Sequence, residues 1–380
     1  MENKKNILDV VSISGLRVKK FEGERGYLST GDLDFNKIAN IELVSYENKP
    51  SRANQNVNVG EVIFAKMKDT KKTLIIDEEN KDIIVSTGFY VLKPSEQILS
   101  KYLYHYLNSD YFLNQKNKLS KGATQCALNN EGLSNITIYM YNLETQKKIV
   151  EVLDKSQDLI DKRKVQIEML DLLVKSKFIE MFGDLKYNSK KWSILNFNDF
   201  AIIDTNMTKD FETYKEYPHI GIDSIEKNTG NILEYSLVKD CNLKSGKYIF
   251  DERHIIYSKI RPNLNKVALP NFKGLCSADS YPILCNKGII ERSYLGYVLR
   301  SEFFLNYILN FSGRTNIPKV NKEQLKGLNM PVPPIELQNQ FAEFVKQVDK
   351  LKFEMEKSLK ELEDNFNSLM QKSFKGKLFI

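Results

Sequence analysis

The side chains of this sequence that could do chemistry are cations mixed with amides and hydroxyls, and they cluster at matching places in its two halves. Lysine and arginine hold phosphates, while arginine, asparagine and glutamine read base edges through paired hydrogen bonds. The clusters therefore predict contacts to a nucleic acid, although a solvated surface charge is an equally good interpretation of any single member. The predicted contact residues are Lys66, Lys68, Lys71, Lys121, Thr124 and Gln125 in the first half, and Lys259, Arg261, Asn263, Asn265, Lys266, Arg314, Thr315, Asn316 and Lys319 in the second.

Residues suited to catalysis or metal binding are scarce. The four cysteines form no Cys-x-x-Cys pair and there are three histidines, so neither a zinc site nor a disulfide framework is expected. The sequence contains neither a Gly-rich phosphate loop nor the Asn/Asp-Pro-Pro-Tyr/Phe motif of amino-methyltransferases. Cys126 and Cys276 have apolar neighbours and are interpreted as packing residues. The sequence predicts a binding protein without catalysis, metal or cofactor of its own.

The elements that must position the predicted contacts occur twice, because the chain is a tandem repeat. Equivalent residues are separated by 191 to 193 positions over most of each copy, which chance composition does not produce. The repeat also relates predicted contacts, so that Lys66 matches Lys259 and Gln125 matches Asn316. Other matched pairs are Ile63 with Ile256, Ser86 with Ser277, Tyr102 with Tyr294, Ser109 with Ser301, and Gln146 with Gln338.

Each copy begins with short apolar runs separated by turn residues, which predict strands at positions such as 62–65, 74–76, 83–85 and 89–92. An amphipathic helix is predicted next, near 96–119 in the first copy and near 291–311 in the second. The expected fold class is α+β. The predicted domains are a first recognition domain at 1–143, a long helix at 144–182, a second recognition domain at 183–335, and a second long helix at 336–380.

The long helices carry the pattern of a coiled coil. Positions spaced alternately by four and three residues are apolar at seven of ten places in the first helix and eight of ten in the second, in the same register. An ordinary core helix is the alternative interpretation. The first seam is Ile149, Leu153, Ser156, Ile160, Arg163, Ile167, Leu170, Val174, Lys177 and Met181, and the second consists of the residues 192 positions later.

Connectivity predicts the direction of the pairing. The first helix ends where the second domain begins, so the second helix must return toward the first domain if the two seams pack together. The sequence therefore predicts an antiparallel two-helix coil between two α+β domains, with pseudo-twofold symmetry.

Composition fits this organisation. The 380 residues are 42% hydrophobic and 28% charged, which is typical of globular proteins. Each long helix contains eight basic and eight acidic residues, so the net charge of +7 lies in the two predicted domains and suits an anionic partner. No apolar run of about 18 residues occurs and no secretory signal opens the sequence, so a cytoplasmic protein with reduced thiols and no membrane contact is expected.

The sequence resembles the specificity subunits of type I restriction-modification systems. The resemblance is carried by Ser258-Lys259-Ile260-Arg261-Pro262-Asn263, by Gly313-Arg314-Thr315-Asn316, and by Pro331-Val332-Pro333-Pro334-Ile335-Glu336-Leu337-Gln338. It covers the whole chain. The first copy departs from the pattern, with Lys66-Met67-Lys68-Asp69 in place of the Lys-Ile-Arg-Pro element and Tyr139-Met140-Tyr141-Asn142 in place of the prolines.

The resemblance implies a function and its partners. Each domain would read one half of a bipartite target in double-stranded DNA, and the coil would set the spacing of the halves. Two methyltransferase subunits carrying S-adenosylmethionine, and restriction subunits using ATP and Mg²⁺, would supply the catalysis. Two other functions stay open from the residues alone: a specificity subunit that serves methylation only, and a coiled-coil scaffold that does not bind DNA.

Overall fold

The computed structural model describes residues 4–122, 126–311 and 318–376. The chain divides into two compact units, unit 1 comprising Met1–Val165 with Glu356–Ile380 and unit 2 comprising Gln166–Met355. Each unit therefore combines one copy of the repeat with part of both long helices.

Unit 1 consists of short strands followed by short helices and the start of the first long helix. Its strands are β1 Lys4–Asn6, β2 Val11–Ile13, β3 Arg25–Leu28, β4 Leu33–Asp34, β5 Lys37–Ile38, β6 Glu42–Val44, β7 Ala53–Asn56, β8 Val62–Ala65, β9 Thr73–Ile75, β10 Ile84–Ser86, β11 Phe89–Pro94 and β12 Thr137–Tyr139. Its helices are α1 Ser100–Asn108, α2 Asp110–Leu119, α3 Asn130–Leu133 and the long α4, Leu143–Phe182, which continues into unit 2.

Strand β8 lies at the centre of unit 1. It belongs to the sheet β2-β11-β8-β9, and its four residues are all buried. Val62 and Phe64 face the core that contains α1 and α2, while Ile63 and Ala65 face a core shared with strands of a second sheet. Because both faces of β8 are covered, its sequence is a continuous apolar run without alternation.

Unit 2 repeats this architecture. Its strands are β13 Ser193–Asn196, β14 Ala201–Ile203, β15 Met207–Thr208, β16 Pro218–Ile220, β17 Ser236–Leu237, β18 Lys247–Phe250, β19 His254–Ser258, β20 Val267–Ala268, β21 Gly274–Cys276, β22 Ser280–Cys285 and β23 Asn329–Val332. Its helices are α5 Phe197–Phe200, α6 Arg292–Arg300, α7 Glu302–Leu309, α8 Lys322–Lys326 and the long α9, Ile335–Phe374, which continues into unit 1.

The sheets of the two units have the same topology. Sheet β2-β11-β8-β9 corresponds to β14-β22-β19-β20, and the pair β1-β12 corresponds to β13-β23. The second sheet of unit 1, β6-β3-β10-β7, corresponds to β17-β16-β21-β18 of unit 2, which gains β15 at its edge. The parallel pair of each second sheet is conserved as β3 with β10 and β16 with β21. The tandem α+β fold predicted from the sequence is confirmed.

One predicted element is wrong in both copies. The single amphipathic helix expected near 96–119 is broken into α1 and α2 at Ser109, and its counterpart is broken into α6 and α7 at Ser301. Ser109 has an extended backbone, accepts a hydrogen bond from the Phe112 N–H, and donates to the Tyr106 carbonyl. It therefore ends one helix and caps the next.

The long helices α4 and α9 have 40 residues each. The first residue of α9 lies 192 positions after the first residue of α4, and the same separation holds for their last residues. All ten predicted seam residues of each helix are buried or half-buried. In unit 1, Ile149 near the start of α4 shares a core with Phe374 at the end of α9. In unit 2, Phe178 near the end of α4 shares a core with Phe341 near the start of α9. The helices are therefore antiparallel within each unit, which confirms the predicted coil.

Candidate nucleic-acid interface

Many of the predicted contacts of unit 1 meet where the chain leaves β8. The Lys68 N–H donates to the Cys126 carbonyl at 2.9 Å, and the Leu128 N–H donates to the Lys66 carbonyl at 2.9 Å. These bonds bind the segment after β8 to the segment that follows α2. We call this place, Lys66–Lys68 with Cys126–Leu128, the unit 1 junction.

Unit 2 has the equivalent junction, Lys259–Arg261 with Pro318–Val320. The Arg261 N–H donates to the Pro318 carbonyl at 2.8 Å, and the Val320 N–H donates to the Lys259 carbonyl at 2.7 Å. The same pair of backbone bonds thus joins two segments that are far apart in the sequence of each copy. The predicted clusters around Lys66 and Lys259 occupy equivalent places in the two units.

The lysine nearest each strand is partly buried against a tyrosine. Lys66 Nζ lies 4.4 Å from the centre of the Tyr90 ring and donates to the Thr87 carbonyl at 2.9 Å. Lys259 Nζ lies 5.2 Å from the centre of the Tyr281 ring. Burial lowers the pKa of both lysines, and the Asp279 carboxylate opposes the shift at Lys259. The stacking holds each ammonium at the rim of its junction.

Lys68 and Arg261 are exposed and occupy equivalent backbone positions. Strand alternation predicts that Lys259 and Arg261 share one face. The strand on which this prediction depends is shorter than expected, because β19 ends at Ser258 and Arg261 has the left-handed backbone angle φ of 48°. An ion pair with Asp251 or Asp279 would give Arg261 a purely structural role, but no such pair occurs in the described residues. Asp251 binds Arg253, and Asp279 lies near Lys259 and Lys319.

Two other predicted contacts of unit 2 support the fold instead. Asn265 is 8% exposed, and its Nδ2 donates to the Arg300 carbonyl at 2.8 Å. Lys266 Nζ donates to the Ile222 carbonyl at 2.8 Å. Asn265 also has a left-handed backbone, with φ of 49°, which asparagine tolerates better than most residues. Both side chains fix the turn after Arg261, whereas Asn263 in the same turn is exposed.

The remaining described contacts carry ion pairs. Lys71 Nζ lies 2.5 Å from Asp110 Oδ1, Lys121 Nζ lies 2.8 Å from Glu131 Oε2, and Lys319 Nζ lies 3.3 Å from Asp279 Oδ1. Largely exposed pairs of this kind contribute little to stability. The predicted contacts Thr124, Gln125, Arg314, Thr315 and Asn316 lie outside the described residues.

A buried lysine that the sequence analysis missed supports the unit 1 junction. Lys116 on α2 is 1% exposed, and its Nζ donates to the Ala65 carbonyl at 3.2 Å and to the Thr70 carbonyl at 2.5 Å. Burial lowers its pKa to about 8, and the Asp69 carboxylate opposes that shift. Ile308 occupies the equivalent position in unit 2 and is fully buried. The ammonium thus ties both ends of the turn that carries Lys68.

Each domain is joined to its long helix by a buried glutamine. In unit 1, Gln146 Oε1 accepts from the Leu99 N–H at 3.0 Å, and its Nε2 donates to the carbonyls of Gln97 and Tyr141 at 2.8 and 2.9 Å. In unit 2, Gln338 makes the same three bonds with partners 192 residues later along the chain. We call this arrangement the glutamine clamp. It fixes the start of each long helix against the segment that enters α1 or α6.

In the described ranges, no group of three or more histidine, cysteine or carboxylate side chains is arranged to hold a metal ion. Cys276 is buried, and desolvation raises the pKa of its thiol, as expected of a packing residue. Cys126 is only half-buried. Within the described residues, no helix is both long enough and apolar enough to cross a membrane.

Comparison with known families gives two consecutive matches. A family model for the type I restriction modification DNA specificity domain matches residues 4–169 and again residues 181–364. The two matches correspond to the two copies of the repeat.

Relatives of similar length match almost the whole chain. The type I restriction enzyme EcoDI specificity subunit of Escherichia coli is 25% identical, over 94% of this chain and 87% of that protein. The type I restriction enzyme MjaVIII specificity subunit of Methanocaldococcus jannaschii is 24% identical, over 95% of this chain and 88% of that protein.

Solved structures share the fold at low sequence identity. A chain from a study of complex assembly and conformational transition in the type I restriction-modification system aligns with a TM-score of 0.63 at 19% identity, over 99% of this chain and 98% of its own. The S subunit of a type I system from M. genitalium aligns with a TM-score of 0.58 at 14% identity, over 98% and 95%.

Proposed function

We propose here how the two junctions recognise DNA. The premise is that the chain belongs to the type I restriction-modification DNA specificity family. The chain is a specificity subunit, with two tandem DNA-recognition domains and a recognition role rather than a catalytic one. This assignment excludes the alternative function, a coiled-coil scaffold that does not bind DNA.

Each junction reads one half of a bipartite target. The observation that carries this proposal is the pair of equivalent backbone bonds that places Lys68 beside Cys126 in unit 1 and Arg261 beside Pro318 in unit 2. In each case an exposed cation stands on a rigid turn beside the loop that follows the helix pair. Since cations hold phosphates and arginine also reads guanine, the two junctions differ in chemistry at one equivalent position.

Matched variants test this assignment. We expect Arg261→Ala to relax specificity in one half of the target, and Lys68→Ala to weaken binding to all sequences alike, because lysine holds phosphates. Loss of a base contact costs about 1–3 kcal/mol for the affected half, whereas loss of a phosphate contact weakens all sequences alike and lowers the salt slope by about one unit. The measurement is affinity of the assembled complex for duplexes altered in one half, at several salt concentrations.

Controls come from exposed cations away from the junctions. Arg253 is paired with Asp251, and Lys81 is paired with Glu78. Arg253→Ala and Lys81→Ala should leave both halves unchanged. The proposal fails if Arg261→Ala alters both halves together, or if the two junction variants behave like these controls.

The long helices set the separation of the two halves and carry the partner subunits. The family implies DNA and the modification and restriction subunits as partners. We propose two methyltransferase subunits for each chain, a stoichiometry that the mass of the purified complex measures. On α4 within unit 2, a row of exposed apolar side chains offers a docking face: Met169, Leu172, Leu173 and Ile179.

Catalytic cofactors are assigned to those partners. We propose that S-adenosylmethionine is bound by the methyltransferase subunits, and ATP and Mg²⁺ by restriction subunits, with the complex acting on cytoplasmic DNA. A specificity subunit that serves methylation only is the second candidate. Neighbouring genes distinguish the two, because only the complete system includes a restriction subunit.

A further inference from the structure

In unit 2, the guanidinium of Arg300 fills the space between the end of α6 and the loop that carries Thr229. Its Nη1 donates to the Thr229 carbonyl at 2.8 Å. Burial lowers the pKa of this guanidinium, and the negative charges of Asp349 on α9 and Asp171 on α4 oppose the shift. A single arginine thus binds a loop of the domain and lies within the electrostatic influence of carboxylates on both long helices of its own unit.

Unit 1 has a shorter, neutral side chain at the equivalent place. Asn108 is the last residue of α1, as Arg300 is the last residue of α6, and a serine follows each. Gln157 on α4 occupies the position that Asp349 holds on α9, 192 residues later. An amide pair therefore replaces an arginine and a carboxylate, and it is smaller than the pair it replaces.

Asn108 and Gln157 both line a pocket in unit 1. Its lining includes Phe35, Tyr104, Asn108, Gln157, Phe366 and Gln371. Asn108 is 7% exposed, and its Oδ1 is buried without a hydrogen-bond partner in the described part of the chain. Its Nδ2 donates to the Tyr104 carbonyl at 3.2 Å, which leaves Oδ1 as an open acceptor. A buried acceptor of this kind normally has a hydrogen-bond donor as its partner.

The charged groups in the wall of the pocket are already paired. Lys71 Nζ lies 2.5 Å from Asp110 Oδ1, and His105 Nε2 lies 2.7 Å from Asp154 Oδ1. A cation entering the pocket therefore meets carboxylates that already have partners, together with amide oxygens. A guanidinium presents five N–H donors in one plane and has no acceptor, so it suits a pocket whose open group accepts.

We propose that this pocket of unit 1 binds a guanidinium group brought by another molecule, in the place that Arg300 fills from within the chain in unit 2. The group can come from an arginine side chain of a partner protein seated on the helices, or from a free guanidine compound. The chemistry recognised is the same in both cases.

The test uses the full chain with ¹³C-methyl-labelled methionine. Met370 lines the pocket, and Met370→Leu identifies its signal among the nine methionines. We expect N-acetylarginine amide to shift the Met370 signal in a saturable manner, and N-acetyllysine amide to do so much less. Asn108→Leu should weaken the response by about tenfold, because it removes the buried acceptor.

A second variant copies unit 2 into unit 1. Asn108→Arg combined with Gln157→Asp should fill the pocket, abolish the response to the arginine probe and raise the melting temperature. If Asn108→Leu does not fold, the comparison of the two probes on the unchanged chain decides the matter. Equal responses to arginine and lysine probes, or no response of Met370 to either, overturn the proposal.

The same signal separates the two sources. If a partner supplies the arginine, adding the methyltransferase subunits should shift Met370 and prevent the response to the probe. If the natural ligand is a free compound, the probe should still bind in the complex with its affinity unchanged.

Discussion

Removing one glutamine clamp should destabilise one unit and spare the other. In unit 2, Gln338 Oε1 accepts from the Glu291 N–H at 2.8 Å, and its Nε2 donates to the Ile289 carbonyl at 3.0 Å and the Pro333 carbonyl at 2.7 Å. Gln338 is fully buried. Gln338→Leu keeps a side chain of similar size that is not branched at Cβ, but it removes all three hydrogen bonds.

The magnitude follows from the groups that the substitution leaves behind. One backbone N–H and two carbonyls lose their partner beside an apolar side chain. An unsatisfied buried group costs about 1–3 kcal/mol, and the lower value suits the Glu291 N–H and the Ile289 carbonyl, which belong to partly exposed residues. With the lower value for each, the free energy of unfolding of unit 2 should fall by about 3 kcal/mol. This is a large part of the stability of a typical domain.

The chain contains its own probe for unit 2. Trp192 is the one tryptophan of the sequence, and its Nε1 donates to the Phe182 carbonyl at 3.0 Å. Urea unfolding followed by tryptophan fluorescence therefore reports on unit 2, whereas far-ultraviolet circular dichroism reports on both units. Gln338→Leu should shift the fluorescence transition, and Gln146→Leu should shift only the circular dichroism.

Two results would refute this reasoning. A loss below about 1 kcal/mol in Gln338→Leu would show that the three bonds do not stabilise the unit. Equal shifts of the Trp192 transition in Gln338→Leu and Gln146→Leu would show that the long helices make the units unfold together, so that neither clamp acts locally.

Two further predictions concern acid stability and target spacing. His105 and Lys101 hold the pKa of Asp154 at about 2, below its usual value near 4, so this carboxylate stabilises unit 1 above pH 4 and that contribution disappears as the pH falls toward 2. Asp154→Asn should therefore cost about 1 kcal/mol at pH 7, after allowance for solvent screening, and only a small part of that at pH 2, where about half of the carboxylate is protonated. Urea unfolding at each pH measures the cost, and an unchanged cost across this range would contradict the assignment. A heptad inserted at equivalent places in α4 and α9 preserves the seam and should lengthen the spacer of the DNA target. Mapping the methylated sites measures the length of the spacer. An active variant with an unchanged spacer would rule out a role of the helices in spacing.

The repeat, the central strands and the helix seams were predictable because their signals are periodic or duplicated. Val62–Ala65 is a continuous apolar run, and such a run is typical of a strand covered on both faces. The break at Ser109 was not predicted, since apolar residues on both sides keep a helical spacing and a single serine carries the cap. Asn142 was also missed: its side-chain oxygen accepts from the Thr145 N–H and starts α4 where the second copy uses prolines.

The interface was predictable as a region but not residue by residue. Sequence pattern placed Lys66 and Lys259 at equivalent points, and the structure confirms that equivalence. Sequence pattern does not distinguish an exposed cation such as Arg261 from Lys266, whose ammonium donates to a backbone carbonyl. Lys116 was missed for a related reason, because a lysine in an amphipathic helix normally points to solvent and its burial depends on carbonyls brought together only by the fold.

A comparison of the turns before the central strands shows how the two copies diverge on one scaffold. Glu61 in unit 1 accepts the N–H of Asn58 at 2.8 Å, and His254 in unit 2 accepts the N–H of Asp251 at 3.0 Å through Nδ1, again three residues earlier. The same Nδ1 also lies 3.0 Å from Asp251 Oδ1, and Nε2 lies 3.2 Å from Asp204 Oδ2. A carboxylate oxygen in unit 1 and an imidazole nitrogen in unit 2 thus accept the same backbone N–H. What the fold requires at this position is an acceptor for one N–H, and the identity of the side chain is free beyond that. The same separation between backbone requirement and side-chain identity holds at Lys68 and Arg261, which allows the two recognition surfaces to change while the sheets, the clamps and the helices stay the same.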